Sequence, residues 1–144
     1  MKYSHSIIID RPREQVISLF DKQDNMFKWQ PGLKDITPVS GVQGEEGAKM
    51  KLNYEMGKRK IEMVETIIKK DLPREFSGTY EAKGVYNVVR NYFEETPDNK
   101  TKWVSENEFQ FSNFMMKVMG FLMPGAFKKQ SFKYMELFKK FAES

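Results

Sequence analysis

The sequence predicts an α+β fold, with a curved antiparallel sheet of about seven strands wrapped around one long C-terminal helix and two short helices after the first strand. Three observations carry that expectation. Residues 127–141, FKKQSFKYMELFKKF, place Phe127, Tyr134, Met135, Phe138, Phe141 and Ala142 on one face of a helix that advances about 100° per residue. Lys129, Lys133, Glu136 and Lys140 fall on the opposite face, so the helix is strongly amphipathic. Upstream, residues 48–109 form three hairpins whose registers agree on a single apolar face. Before them come one strand and two short helical stretches.

Taken in order, Tyr3–Ile9 is a strand, and Asp10-Arg11-Pro12 reads as a helix start with Asp10 as the capping acceptor and proline in the first turn. Val16, Leu19 and Phe20 recur at helical spacing to about Asp21. A polar break leads to Met26, Phe27 and Trp29, a second short helix or turn that Pro31-Gly32 ends. Residues 33–40 are a weak strand, with Pro38 marking an edge or bulge, and GVQGEEG is a glycine-rich turn. From Ala48 the alternation is clean, and Gly57-Lys58 closes a tight hairpin that sets Tyr54 opposite Ile61, Leu52 opposite Met63 and Met50 opposite Glu65. On the outer face the same register brings Glu55 to Lys60. The Lys83-Gly84 hairpin pairs Tyr80 with Asn87, Gly78 with Val89 and Phe76 with Asn91. A third hairpin through Thr96–Lys100 brings Phe93 to Trp103, Asn91 to Ser105, Val89 to Asn107 and Asn87 to Phe109. The segment NFMMKVMGFLMPGA, residues 113–126, is apolar but irregular, a short helix or loop over one end of the sheet.

Composition bounds the function. The 144 residues suit one domain, residues 1–144, able to bury roughly 70% of its unfolded surface. No apolar run reaches the roughly eighteen residues of a membrane span, and the N-terminal apolar run is too short for a secretory leader. Zero cysteines exclude disulfides and thiol chemistry and suit a cytoplasmic location. One histidine and no cysteine leave no zinc constellation, no spaced acidic loop signals another metal, and no phosphate-cradling glycine loop is present, so neither a metal nor a cofactor is expected. Net charge +4 is a mixture of both signs, with lysines concentrated toward the C-terminus on a solvated helix face where Glu136 and Lys140 are spaced for an i,i+4 pair. The aromatics segregate from those charges onto the inner face, which argues against nucleic-acid stacking.

The inner face itself is unusual. Ten methionines and twelve phenylalanines supply adaptable apolar walls. Among them the register directs Glu65, Asn87, Asn91, Ser105 and Asn107 inward, where each unsatisfied polar group costs about 1–3 kcal/mol. Either mutual hydrogen bonds or a cavity with water or ligand satisfies them. Glu65 inside an apolar wall has its pKa raised by desolvation unless it meets a donor; Arg59 and His5 are the candidates. His5 alone lacks the partner a general base requires, and no serine sits in a nucleophile elbow. No catalytic residue is assigned. The expected ligand contacts are Trp29, Met50, Leu52, Tyr54, Ile61 and Met63, with Glu65, Phe76, Tyr80, Asn87, Asn91, Trp103, Asn107 and Phe109 further along the sheet. The helix adds Phe127, Tyr134, Met135 and Phe138.

The run Ile7-Ile8-Ile9-Asp10-Arg11-Pro12 followed by Val16 and Leu19-Phe20-Asp21, then Trp29 with Pro31-Gly32, Thr101-Lys102-Trp103 and the terminal amphipathic helix, resembles the START-like (SRPBCC) superfamily. That group includes the plant pollen allergens, polyketide cyclases and lipid-transfer domains. The resemblance covers essentially the whole chain and implies a helix-grip fold with a cavity between sheet and helix for an apolar or aromatic molecule. It carries no single catalytic motif. The leading expectation is a module that binds or carries a small hydrophobic or aromatic molecule, a lipid among the candidates. A cyclase or hydratase working in the same cavity is the alternative. So is an interaction module that offers residues 114–127 to a protein or to the membrane surface. The pattern sets no oligomeric state.

Overall fold

A computed structural model describes residues 1–144. Strand β1 (Lys2–Ile9) leads into helix α1 (Arg13–Phe20), a 3-10 turn (Gln23–Asn25) and the single turn α2 (Met26–Trp29). Six strands follow: β2 (Leu33–Ser40), β3 (Lys49–Met56), β4 (Arg59–Asp71), β5 (Glu75–Ala82), β6 (Val85–Glu95) and β7 (Thr101–Phe111). Helices α3 (Phe114–Leu122) and α4 (Pro124–Ala142) end the chain. The seven strands form one antiparallel sheet in the order β1-β7-β6-β5-β4-β3-β2.

Hydrophobic alternation and turn length set the registers, and the pairs read from the sequence are those found: Met50 opposite Glu65, Tyr80 opposite Asn87, Phe93 opposite Trp103. The β3–β4 and β5–β6 hairpins each turn through a glycine of positive φ, Gly57 at 63° and Gly84 at 79°, which a side chain would strain. Edge strand β2 shifts register around Pro38, which has no N–H for a ladder. Glu55 and Lys60 approach to 4.0 Å on the outer face.

Helix α4 lies across the inner face with Met135, Phe138 and Ala142 buried. Phe138 is fully buried, and its ring meets Trp29 at 5.2 Å, Trp103 at 5.4 Å and Phe20 at 5.6 Å between centroids, all edge-on. Polar contacts stitch α4 along β1. The Tyr3 hydroxyl donates to the Phe127 carbonyl (3.1 Å), Lys139 Nζ to the Ile8 carbonyl (2.5 Å) and the Asp10 N–H to Glu143 Oε2 (2.7 Å).

Three details differ from expectation, and a fourth selects the helix from the two readings of residues 113–126. Pro12 occupies the N-cap of α1, two residues past Asp10, whose carboxylate lies 3.9 Å from Lys100 Nζ and whose N–H donates to Glu143. Helix α4 begins at Pro124, so Pro124-Gly125 forms its first turn and the break falls at Met123. This follows from proline's tolerance of the first helical position. The i,i+4 pair that forms on α4 is Lys139–Glu143 at 2.7 Å; Glu136 and Lys140 form no ion pair. Residues 114–122 are a regular helix, capped by Asn113, whose side chain accepts from the Met116 N–H at 2.8 Å. It meets the sheet end only along one narrow side: a Cβ on Gly120 would fall 2.5 Å from the Phe111 ring. Its largest side chains point into solvent, so it does not cap the inner face.

Candidate functional site

A cavity of about 210 Å³ lies between α1–α2 and the inner face of β3–β5. Its floor is Met50 from β3, Glu65 and Ile67 from β4, and Phe76 and Tyr80 from β5. The strand period places these side chains together, since Glu65 stands opposite Met50 on one side and Tyr80 on the other. The roof comes from Phe20 at the end of α1 and from Met26, Trp29 and Gln30 around α2. Tyr54 positions Gln30 by donating its hydroxyl to Oε1 at 2.6 Å.

Asp21, Gln23, Gln43 and Gly44 add polar groups to the lining. Gln43 Nε2 donates to Gln23 Oε1, and Gln23 Nε2 lies 2.8 Å from the Met50 sulfur. Lys70 Nζ donates to the Gly44 carbonyl at 2.8 Å and reaches Asp21 at 3.4 Å and Glu45 at 3.5 Å. The loop between β2 and β3 is thereby tied to the end of α1.

Inside, Glu65 is 4% exposed and faces no cation. Burial raises its pKa, opposed by the Tyr80 hydroxyl on the neighbouring strand. Burial also raises the Tyr80 phenol well above its ordinary value, helped by the Glu65 carboxyl beside it. The Tyr54 phenol is raised by burial first, then by Tyr134 and Glu65. At neutral pH the phenols are uncharged donors. Trp29 carries a buried indole N–H with no partner in the protein. The cavity thus offers flat apolar walls, one carboxyl and a phenol donor at Tyr80.

The expected ligand contacts divide. Trp29, Met50, Glu65, Phe76 and Tyr80 meet at the cavity. Trp103, Met135, Phe138 and Leu52 are packed in the core instead, because the Phe20, Phe93, Trp103 and Phe138 rings fill the space under α4. Ile61, Met63 and Tyr134 pack against that core, and Phe109 and Phe127 pair at 5.1 Å near the sheet end. The inward asparagines are mostly engaged within the protein. Asn91 accepts from the Trp103 indole N–H at 2.9 Å, and Asn107 donates to Ser105 at 3.3 Å, while Asn87 Oδ1 is buried without a partner. His5 donates from Nε2 to the Lys128 carbonyl at 3.0 Å, far from Glu65 in role, and Arg59 is exposed. Sequence reasoning missed Phe20, Met26, Gln30 and Ile67. The available signal was Phe20 on the buried stripe of α1 with Val16, which had to face the sheet somewhere.

No protein-family model and no curated protein matches the chain. Solved structures do. The allergen Ara h 8.0201 superposes with a TM-score of 0.75 at 12% identity, over 99% of this chain and 97% of that one. Major latex-like protein 151 of Panax ginseng gives 0.77 at 11% identity over 100% and 98% of the chains. The Zhui aromatase/cyclase of a Streptomyces species gives 0.76 at 10% identity over 99% and 93%. The chain therefore has the START-like helix-grip fold.

Proposed function

We propose that the protein binds a small aromatic or apolar molecule in the cavity between α1–α2 and β3–β5. The observation that carries this is the joint lining of Phe20, Trp29, Met50 and Phe76 with a buried, cation-free Glu65. A few convergent polar groups in an apolar pocket are the usual form of a small-molecule site. Size narrows the class. A dry cavity of about 150 Å³ accepts benzene, so 210 Å³ suits one substituted ring or two fused rings. Sterols and long acyl chains need the about 300 Å³ and more of drug-sized pockets. Glu65, Tyr80 and Gln30 favour ligands with a hydroxyl or an amine, which can donate to the carboxyl. The similarity to an aromatase/cyclase agrees with an aromatic ligand without assigning one.

The test is a melting series with phenols, indoles and naphthols against Met50→Trp, which fills the cavity. At a hundredfold excess over Kd the gain is about 2.7 kcal/mol, or about 5–10 °C. Wild type should gain and the variant should not. A panel that never shifts wild type would set the proposal aside. A catalytic reading draws on the same Glu65–Tyr80 pair, since a protonated carboxyl can donate to a ligand. Recovery of the bound ligand chemically unchanged after long incubation would reject it.

A further inference from the structure

Helix α3 is apolar on nearly every side, yet only Met116, Val118 and Gly120 are partly covered. Phe114 is 80% exposed, Met115 75%, Phe121 85% and Leu122 67%, with Met123 at 53% beyond the helix end. At 100° per residue, Phe114, Met115, Val118, Phe121 and Leu122 occupy one arc, and Met116 and Gly120 face the sheet. Such a contiguous patch marks an interaction surface.

The charges around it say what covers it. Residues 109–135 contain Lys117, Lys128, Lys129 and Lys133 and no Asp or Glu. Lys117 lies on α3, and Lys128 and Lys129 sit early on α4, just past the patch. The Lys83-Gly84 hairpin abuts the other end, where the Ser112 N–H donates to the Gly84 carbonyl at 3.0 Å; Glu81 is the nearest carboxylate in that hairpin. Lysine is depleted from protein–protein interfaces. An apolar helix face rimmed by lysines is instead the form that settles into an anionic lipid surface. No helix is long and apolar enough to cross a membrane, so the contact is peripheral.

We propose that α3 is a membrane-docking helix. It lies in the headgroup region of an anionic bilayer, with Phe114, Met115, Phe121 and Leu122 among the acyl chains and Lys117, Lys128 and Lys129 against lipid phosphates. This is independent of the cavity and of whatever it holds.

Vesicle flotation tests it, with phosphatidylcholine alone and with an equal mixture of phosphatidylcholine and phosphatidylglycerol. Wild type should float with the mixed vesicles, and less so as salt rises. The double variant Phe114→Ser, Phe121→Ser should stay unbound with its melting temperature unchanged, because both rings are already exposed. Replacing Lys117, Lys128 and Lys129 by Gln should weaken binding at least about tenfold, and keeps the test open should the aromatic variant misfold. Failure of wild type to float, or equal flotation of the variants, would overturn the proposal. So would sedimentation showing that the double variant turns a dimer into a monomer, which would make the patch a self-association surface.

Discussion

At Glu65, strand register and electrostatics meet. Alternation directs it inward, and the absence of a cation leaves burial as the main influence on its titration. Its folded pKa is raised, so the folded protein binds more protons than the unfolded chain between the ordinary carboxylate value and the folded one. Stability should therefore fall as pH rises through that window and stay lower above it. Glu65→Gln removes the ionisation and should flatten this part of the stability–pH profile, making the variant more stable than wild type at neutral pH. Denaturant melts across pH check the sign; a wild type that gains stability over the same window would show that Glu65 finds a cation. The inward direction of Glu65 was legible from the sequence. Its partner was not: the pattern offered Arg59 and His5, and the β4–β5 pairing, which no two-residue hairpin fixes, brings Tyr80 beside it instead.

At the scale of elements, α4 was the most legible part of the chain, since its 3.6-residue period places Met135, Phe138 and Ala142 inward without reference to anything else. Phe138→Ala should cost about 3–5 kcal/mol, because three aromatic rings surround a fully buried side chain. Lys133→Ala, on the exposed face, should change stability by less than about 0.5 kcal/mol. Equal small losses in parallel denaturant melts would mean that the helix is docked on another face. Helix α3 was less legible. Its apolar residues ring the helix, so periodicity gives no direction, and its orientation depends on the close fit of Gly120 against Phe111. The short α1 and α2 were found, but not what they cover. Three or four apolar residues define a face without defining its partner.

For the whole molecule, the sheet and its registers followed from local patterns because each hairpin fixes its own pairing and the three agree. The position of the cavity depends on volume instead. The rings of Phe20, Phe93, Trp103 and Phe138 fill the space under α4 and leave the opening beside α1–α2, a balance of side-chain volumes that alternation does not encode. The central claim is that this opening takes a ligand. Methionine-methyl NMR during titration with an indole or a naphthol tests it most directly, because the ten methionines sample the cavity, the core and α3 separately. The account predicts saturable shifts concentrated at Met26 and Met50, with Met115, Met119 and Met123 unmoved. Shifts centred on α3, or no saturable shift at Met26 and Met50, would contradict it.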